Sequence, residues 1–285
     1  MTKLDRIQIR GYKSIDRVDI RLGQINVLIG GNGSGKSNFI SLFSLLQEVA
    51  NRQFQRAVLK RGRANTLLHY GTKNTKLAGT RLTFGHTGYL AAWEPTEEDT
   101  LIFNRESIFR DTETEKQPSL FDIDDTTMDH KGYSETRLTE PGAFTDATTQ
   151  HEILGSIRSC KTYHFHDTSE TAPVRMTCRI NDNLSLRQDA SNLAAILYLL
   201  KLTALPQYER IRNTIRTAAP FFDDFILRPT PDNPEYIRLE WREVGCDVPL
   251  YSHQLSDGTL RFICLATLLL QPEVPQLTLI DEPEL

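Results

Sequence analysis

The chain opens on apolar residues at alternating positions. Residues 4–9 and 18–22 alternate in this way and predict two strands. Residues 25–29 are almost continuously apolar, which predicts a third strand that is buried on both faces. From residue 39 to residue 49, apolar side chains recur at helical spacing. The opening therefore predicts two strands, then a strand that runs into a glycine-rich loop, then a helix.

The same reading continues to the end of the chain. Residues 77–110 predict antiparallel strands with turns at 85–88 and 95–99. Residues 111–135 carry eight acidic side chains against two lysines, which predicts a mobile loop or insert. Beyond residue 160 the pattern predicts strands at Tyr163–His166, Ile226–Arg228, Tyr236–Trp241 and Leu277–Ile280, and helices at Leu193–Leu202, Tyr208–Ala218 and Leu260–Leu270, the first two separated by Pro206.

Composition narrows the class of protein. A chain of 285 residues with 39% hydrophobic and 25% charged residues is typical of a globular protein with one large or two small domains. A net charge of −4 argues against an extended basic surface that would bind nucleic acid. The local basic stretch 52–63 is either a solvated face or a DNA contact. The four cysteines fit neither a metal site nor a disulfide framework, and no apolar run would span a membrane. We expect a cytoplasmic protein.

A glycine-rich segment carries the strongest chemical signal. Residues 30–37, GGNGSGKS, fit the phosphate-loop pattern G-x-x-x-x-G-K-[ST]. Glycines let backbone N–H groups turn toward phosphate oxygens, and the start of the following helix adds a positive dipole end. We expect Lys36 to reach the β and γ phosphates of ATP and Ser37 to ligate Mg²⁺. The predicted nucleotide-binding residues here are Gly30, Asn32, Gly33, Ser34, Gly35, Lys36, Ser37 and Asn38.

Two acidic residues follow the last predicted strand. At the carboxyl end of a buried parallel strand, side chains open onto the crevice where ligands bind. Asp281 is then placed to hold the Mg²⁺ shell, and Glu282 is placed to polarise the water that attacks the γ-phosphate. On its own, an apolar run ending in two acids also fits a strand that simply meets solvent. The phosphate loop upstream favours the catalytic interpretation.

A second helix start lies near the end of the chain. Residues 255–259, LSDGT, precede the helix predicted from Leu260, and either Ser256 or Asp257 caps it. Gly258 leaves backbone N–H groups exposed, which would make a second anion site. An ordinary helix cap is the alternative interpretation. Asp281, where the last predicted strand ends, lies 25 residues after Ser256. This spacing favours the interpretation of the segment as an anion site.

These segments together resemble a known group. GGNGSGKS, LSDGT and LTLIDEPE resemble the motifs of ABC-type ATPases, and the opening IQIRGYKSI…INVLIGGNGSGKSN resembles the SMC/RecF/OLD-like group among them. The stretches YHFHDTS, LRQDASNLAAILYLL, APFFDDFILRP and HQLSDGTLRFICLATLLLQP are similar to bacterial RecF-like ATPases of the AAA class. Some proteins of this class act in DNA repair, and others are the ATPase component of phage-defence systems. The resemblance covers essentially the whole chain.

The resemblance implies a fold and a mechanism in trans. The fold is an α/β P-loop NTPase of ABC type, with a mixed sheet around the phosphate loop, an antiparallel β subdomain and a helical lobe. Two copies would pair head to tail with ATP between them, so that Ser256 and Gly258 bind the γ-phosphate held by Lys36 of the partner copy. The γ-phosphate would join two positive helix ends, and hydrolysis would release them.

Other positions are weaker candidates. Lys13 and Ser14 lie where the group often contacts the nucleotide, but they also fit a solvated turn. His166 or Asp167 would replace the metal- and water-sensing glutamine of ABC enzymes, because no glutamine follows Phe165. His164 and His166 would share one strand face, without other signs of zinc. The D-loop and the switch histidine of the group do not follow Glu282, and His253 precedes the signature, so we expect a fragment of a longer protein.

The sequence therefore predicts one ATPase domain with four parts: 1–65 with the phosphate loop, 66–145 rich in strands, 146–250 with helices and strands, and 251–285 with the signature helix and acidic strand. The expected function is Mg²⁺-dependent ATP hydrolysis that drives dimerisation and controls an effector, such as a nuclease, or a DNA transaction. An ATP-gated scaffold with little turnover is the alternative. A transporter subunit is disfavoured by the β-rich acidic insert, and a P-loop kinase or GTPase by LSDGT.

Overall fold

A computed structural model of the chain describes residues 3–110, 120–122 and 132–282. The chain divides into two compact units, Met1–Lys161 and Thr162–Leu285. Most of the acidic stretch 111–135, which we expected to be mobile, lies outside the described residues, as do Pro283 and Glu284 of the motif LTLIDEPE.

A five-stranded antiparallel sheet with the order β2-β1-β3-β4-β5 forms the frame of the first unit. The tight turns at 13–14, 85–86 and 96–100 join neighbouring strands, which confirms the two strands predicted at the start of the chain and the antiparallel strands of 77–110. The strands are β1 (Leu4–Tyr12), β2 (Ile15–Arg21), β3 (Ala78–Phe84), β4 (Thr87–Pro95) and β5 (Leu101–Arg110).

The helix predicted after the phosphate loop is confirmed as α1 (Lys36–Ala50). Its apolar face, with Leu42, Leu45 and Val49 fully buried, packs against two other helices of the unit. These helices are α2 (Phe54–Lys60) and α4 (Ala147–Arg158), and the short α3 (Arg63–Leu67) follows α2. Arg158 of α4 donates to the carbonyl of Ala50 at 2.9 Å, which fixes the end of α1. Among the described residues, none of the helices could cross a bilayer.

The second unit packs three helices and several short strands around one apolar core. Trp241, Phe222 and Ile263 are buried at its centre. Its helices are α5 (Leu193–Thr203), α6 (Leu205–Ala218) and α7 (Asp257–Leu270). Its strands are β6 (Cys160–His164, of which Thr162–His164 belong to this unit), β7 (Cys178–Arg179), β8 (Phe222–Ile226), β9 (Pro229–Thr230), β10 (Asn233–Ile237), β11 (Glu240–Glu243), β12 (Leu250–Tyr251) and β13 (Leu277–Asp281).

Several sequence predictions in this unit need correction. The strand predicted at 226–228 lies earlier, at β8, and the one predicted at 163–166 lies earlier, at β6. The strand predicted at 236–241 is two strands, because β10 pairs with β7 and β9 whereas β11 pairs with β8 and β12. Hydrophobic periodicity cannot show such a change of partner. Pro206 lies in the first turn of α6, where its missing N–H costs nothing, and does not separate the helices.

The strand predicted before the phosphate loop is wrong. Residues 25–29 form no strand, and Ile25, Val27 and Ile29 are 88%, 75% and 92% exposed. A strand exists only where its N–H and C=O groups find a neighbouring strand, and among the described residues none pairs with this segment. At its start, side-chain bonds join Gly23 and Asn26 locally. The apolar run indicated that the segment could be buried, but it gave no information about a neighbouring strand with which the segment would pair.

The strand predicted at 277–280 is confirmed as β13, although it is not fully buried. Each of its five residues is half-buried. Within the part of the chain that the structure describes, β13 pairs with β6 alone in a two-stranded sheet. A strand with one neighbour keeps one edge accessible, which explains the incomplete burial.

Candidate functional site

The phosphate loop leads directly into α1. Gly35 occupies the N-cap position with a φ of 98°, and Gly33 has a φ of 82°; glycine adopts this left-handed region at little cost. A Cβ on Gly35 would lie only 2.9 Å from the Ser14 hydroxyl. No side chain caps α1 and its first turn contains no acid, so its first N–H groups and dipole are left to attract an anion.

Lys36 is the first residue of α1, and its ammonium group closes the loop onto itself. It donates to the carbonyl oxygens of Gly30 at 2.5 Å and of Gly31 at 3.1 Å. Phosphate oxygens carry charge and are stronger acceptors than carbonyls, so the same amine can exchange these contacts for a triphosphate. Ser37 is exposed in the first turn, as are Asn32 and Ser34 in the loop. These residues fit a nucleotide with its Mg²⁺.

The turn between β1 and β2 braces the start of α1. The Asn38 amide donates to the Ser14 hydroxyl at 2.7 Å, and the Lys13 ammonium donates to Ser41 at 3.2 Å. Burial lowers the pKa of Lys13, and the positive charge of Arg61 lowers it further. Lys13 and Ser14, weak candidates from the sequence, therefore lie beside the phosphate loop.

An open cleft of about 600 Å³ adjoins this turn. Its lining includes Lys13, Ser14, Asn38, Asn65 and Tyr70. Tyr70 is 79% exposed, so its ring is available for stacking. The sequence had marked Lys13, Ser14 and Asn38 as candidates, but it gave no signal for Asn65 and Tyr70.

The signature segment forms the start of α7. Ser256 is the N-cap, and its hydroxyl accepts from the backbone N–H of Thr259 at 3.2 Å, which settles the choice between Ser256 and Asp257. The two hydroxyls of Ser256 and Thr259 lie 2.8 Å apart. Asp257 and Gly258 follow in the first turn, and both are exposed. Gly258 has open space where a Cβ would be.

Two arginines that the sequence did not single out hold this segment. Arg175 is only 5% exposed; its guanidinium donates to the carbonyls of Ser252 and Leu255 and pairs with Asp257 at 2.9 Å. Arg261, one turn into α7, donates to the carbonyl of His166 at 2.8 Å. Single arginines in no motif give no sequence signal for such a role.

The acidic pair ends β13. Asp281 is its last residue, and one carboxylate oxygen lies 3.6 Å from Nδ1 of His164 on β6. Glu282 is exposed and has a φ of 49°, so it leaves the alternation of the strand. Left-handed backbone at a non-glycine residue is strained and tends to cluster at functional sites. The regular strand therefore ends at Asp281, and Glu282 adopts a different backbone conformation.

The histidine beside the acidic pair is not the one favoured by the sequence. His166 and Asp167, the candidate sensor residues, are exposed, and Asp167 accepts from Ser169 at 2.8 Å. The bond from the Ser169 hydroxyl lowers the pKa of Asp167. His164 contacts Asp281 instead, and its ring lies 6.2 Å from that of His166. The pairing of β6 with β13 brings it there, and a sequence pattern does not record which strands pair.

The basic stretch 52–63 makes intramolecular contacts. Arg61 pairs with Glu48, and Arg52 lies 3.3 Å from Glu140. Arg63 donates to the carbonyl of Glu98 at 3.2 Å. These contacts favour the interpretation as a solvated face over a DNA contact, because each engaged guanidinium already has an acceptor.

The predicted site residues fall in both units. The phosphate loop, with Lys36 and Ser37, belongs to the first unit, and Ser256, Gly258, Asp281 and Glu282 belong to the second. Within the first unit the structure brings Ser14 and Asn38 to the loop, and within the second it brings His164 to Asp281.

One family of known proteins matches the chain over most of its length. Residues 25–285 match the sequence model of a family described as "AAA domain, putative AbiEii toxin, Type IV TA system". No curated protein matches the chain. One similar solved structure comes from work on ATP-driven dimerization and DNA-stimulated activation of SMC ATPases; it is 19% identical, covers 39% of this chain and 72% of that one, and has a TM-score of 0.29.

A second similar structure is the Smc head domain of Pyrococcus furiosus with an extended coiled coil, bound to the C-terminal domain of ScpA. It is 14% identical, covers 95% of this chain and 79% of that one, and has a TM-score of 0.47. Both TM-scores lie below 0.5, so the assignment rests on the family match, which spans most of the chain. The chain belongs to this family of AAA domains, and its fold is that of a P-loop NTPase.

Proposed function

We propose that the protein is a Mg²⁺-dependent ATPase in which ATP joins two copies head to tail, and that this pairing controls an effector protein or a DNA transaction. The observation that carries the proposal is the start of α1: an uncapped helix behind two left-handed glycines, with the Lys36 ammonium already on the loop. Backbone N–H groups, a dipole and one amine form a site for a triphosphate.

Each residue then has a role within one copy. Lys36 and the loop N–H groups of the first unit would hold the β and γ phosphates, and Ser37 beside them would ligate Mg²⁺. Asp281 of the second unit is also proposed as a Mg²⁺ ligand. The metal, when bound, neutralises phosphate charge. Glu282, which is exposed, would accept a proton from the attacking water.

We also propose that the cleft beside the β1–β2 turn receives the base and ribose. It adjoins Ser14 and Asn38, so a nucleotide with its phosphates on the loop would extend into it. The exposed ring of Tyr70 offers a stacking surface to a flat base, and the Asn65 side chain offers polar edges.

The pairing step uses the second helix start. Ser256 and Gly258 of one copy would meet the γ-phosphate held by Lys36 of the other, because the first turn of α7 is exposed and presents a hydroxyl and N–H groups. An effector such as a nuclease would respond to the ATP-bound dimer, and DNA would be a further partner. We place this activity in the cytoplasm.

The test combines ATP turnover with sizing by light scattering. In the variant Glu282→Gln we expect turnover to fall about a hundredfold or more, because the proton acceptor is lost, while ATP stays bound and the dimer persists. Glu273→Gln, which changes an exposed glutamate outside the site, is the matched control and should behave as the wild type. Monomers of Glu282→Gln at saturating ATP would contradict pairing through the nucleotide. If the wild-type chain binds ATP and dimerises without turnover, the scaffold alternative is correct.

A further inference from the structure

Arg175 has an unusual environment for an arginine. Its side chain is 5% exposed, and all its acceptors lie in two segments of the second unit. Nε donates to the carbonyl of Thr168 at 2.9 Å, and the two terminal nitrogens reach the carbonyls of Ser252 and Leu255. The Ser252 hydroxyl donates back to the Arg175 carbonyl at 3.0 Å. The guanidinium thus fastens the backbone that precedes the signature helix.

Asp257 is the second feature. It is the first residue of α7, its side chain is 65% exposed, and it lies between the two residues proposed to meet phosphate, Ser256 and Gly258. A carboxylate suits the positive end of a helix, but it repels an incoming γ-phosphate. The Arg175 guanidinium lies 2.9 Å from this carboxylate and is the cation placed against it.

We propose that Arg175 is a positioning residue of the signature site: it neutralises Asp257 and fixes segment 252–257, so that the start of α7 accepts the terminal phosphate of a nucleotide held by a second copy. This inference rests on the proposed function. Without the guanidinium, two negative groups would meet at one helix end. The anion site of α7 therefore depends on a residue 82 positions upstream of Asp257.

Removing the charge of Asp257 distinguishes charge neutralisation by Arg175 from a purely structural role. If Arg175 acts by neutralising Asp257, its loss should matter less once Asp257 carries no charge. If Arg175 only fastens the carbonyls of 252 and 255, its loss should cost the same in either background. A double-mutant cycle of Arg175→Gln and Asp257→Asn measures this difference directly.

The experiment uses the whole chain and measures ATP-dependent self-association by sedimentation, with Mg²⁺ and ATP at saturation. Arg175→Gln should weaken association about tenfold, because an uncompensated like charge faces the phosphate. Arg175→Gln should cost at least about threefold less association in the Asp257→Asn background than in the wild type, because only the fixing of segment 252–257 is then lost. Binding of ATP by each monomer should stay unchanged, since every contact of Arg175 named above lies in the second unit. Lys36→Ala, which removes the phosphate-loop amine, is the negative control.

Equal losses in both backgrounds would overturn the proposal and leave Arg175 a structural clamp. Arg175→Lys covers the case in which Arg175→Gln does not fold: it keeps the positive charge and should retain most of the association. A loss with lysine as large as with glutamine would also overturn the proposal. If the wild-type chain associates with ATP and only the cycle fails, this inference alone is wrong. If the wild-type chain stays monomeric with ATP, the proposed function fails and this inference fails with it.

Discussion

The two helix starts in this chain are built by opposite means. The phosphate loop before α1 is shaped by its own backbone, with Gly33 and Gly35 in the left-handed region and Lys36 folded onto loop carbonyls. The start of α7 is capped by Ser256 and fastened by Arg175 and Arg261 from other segments. Eight consecutive residues form the first site, whereas residues far apart in the chain form the second.

This difference predicts how each site fails. A site shaped by glycine backbone is sensitive to an added Cβ and to loss of its amine, but little affected by changes elsewhere. A site held by side chains is sensitive to distant charges and to its helix cap. Substitutions that violate this division would show that the two helix starts are alike after all.

The largest effect is expected from Lys36→Ala. It removes the amine that we assign to the β and γ phosphates, and charge-assisted bonds of this kind contribute about 3 kcal/mol together, or roughly a hundredfold in Kd. Titration calorimetry with ATP measures the change. Lys60→Ala, on an exposed lysine at the end of α2, is the matched control and should bind ATP normally. Unchanged affinity in Lys36→Ala would remove the central site.

Two glycines of one loop offer the next test. Gly35→Ala forces a left-handed residue to carry a Cβ that would lie 2.9 Å from the Ser14 hydroxyl, whereas Gly31 has a φ that other residues adopt and open space around it. We expect Gly35→Ala to weaken ATP binding about tenfold or more and Gly31→Ala to change it little, since strain of this kind costs about 1–2 kcal/mol. Fluorescent ATP analogues report both values. Similar losses for the two variants would contradict a backbone-shaped site.

The cap of α7 gives a smaller effect. Ser256→Ala removes the acceptor of the Thr259 N–H and should cost about 1 kcal/mol in the free energy of unfolding, together with a loss of ATP-dependent association. Urea unfolding and sedimentation measure the two quantities. Ser256→Thr keeps a hydroxyl cap and should preserve both. Normal association of the alanine variant would place the contact with the partner's phosphate elsewhere.

The same contrast explains what the sequence could predict. GGNGSGKS is contiguous, so its loop and helix were predicted correctly, and LSDGT located the start of α7. Arg175, Arg261 and His164 reach their partners only through tertiary packing, and no local pattern records it. The strand expected at 25–29 failed for a related reason, since periodicity reports apolar surface but not a pairing partner.

The smallest effect tests whether the backbone-shaped site also depends on side chains. Asp19 on β2 pairs with Arg6 on β1, in the hairpin whose turn carries Ser14 to Asn38. Hydrogen bonds from Arg6, and then from Gln8, lower the pKa of Asp19 to about 2. Because the folded pKa lies below the unfolded value of about 4, the pair stabilises the fold fully above about pH 4, and this contribution is lost as the pH falls toward about 2.

Both side chains are about one-third exposed, so solvent screening limits the contribution to below about 1 kcal/mol. Asp19→Asn should therefore lower the free energy of unfolding slightly at about pH 6, and the difference from the wild type should vanish near pH 2. Asp16→Asn, which changes an exposed acid on the same strand, is the matched control and should leave the free energy of unfolding at about pH 6 close to that of the wild type. ATP affinity in Asp19→Asn should stay within about twofold of the wild type, because glycine backbone rather than this ion pair shapes the loop. A larger loss of affinity would mean that the phosphate loop, like the start of α7, depends on side chains outside its own motif.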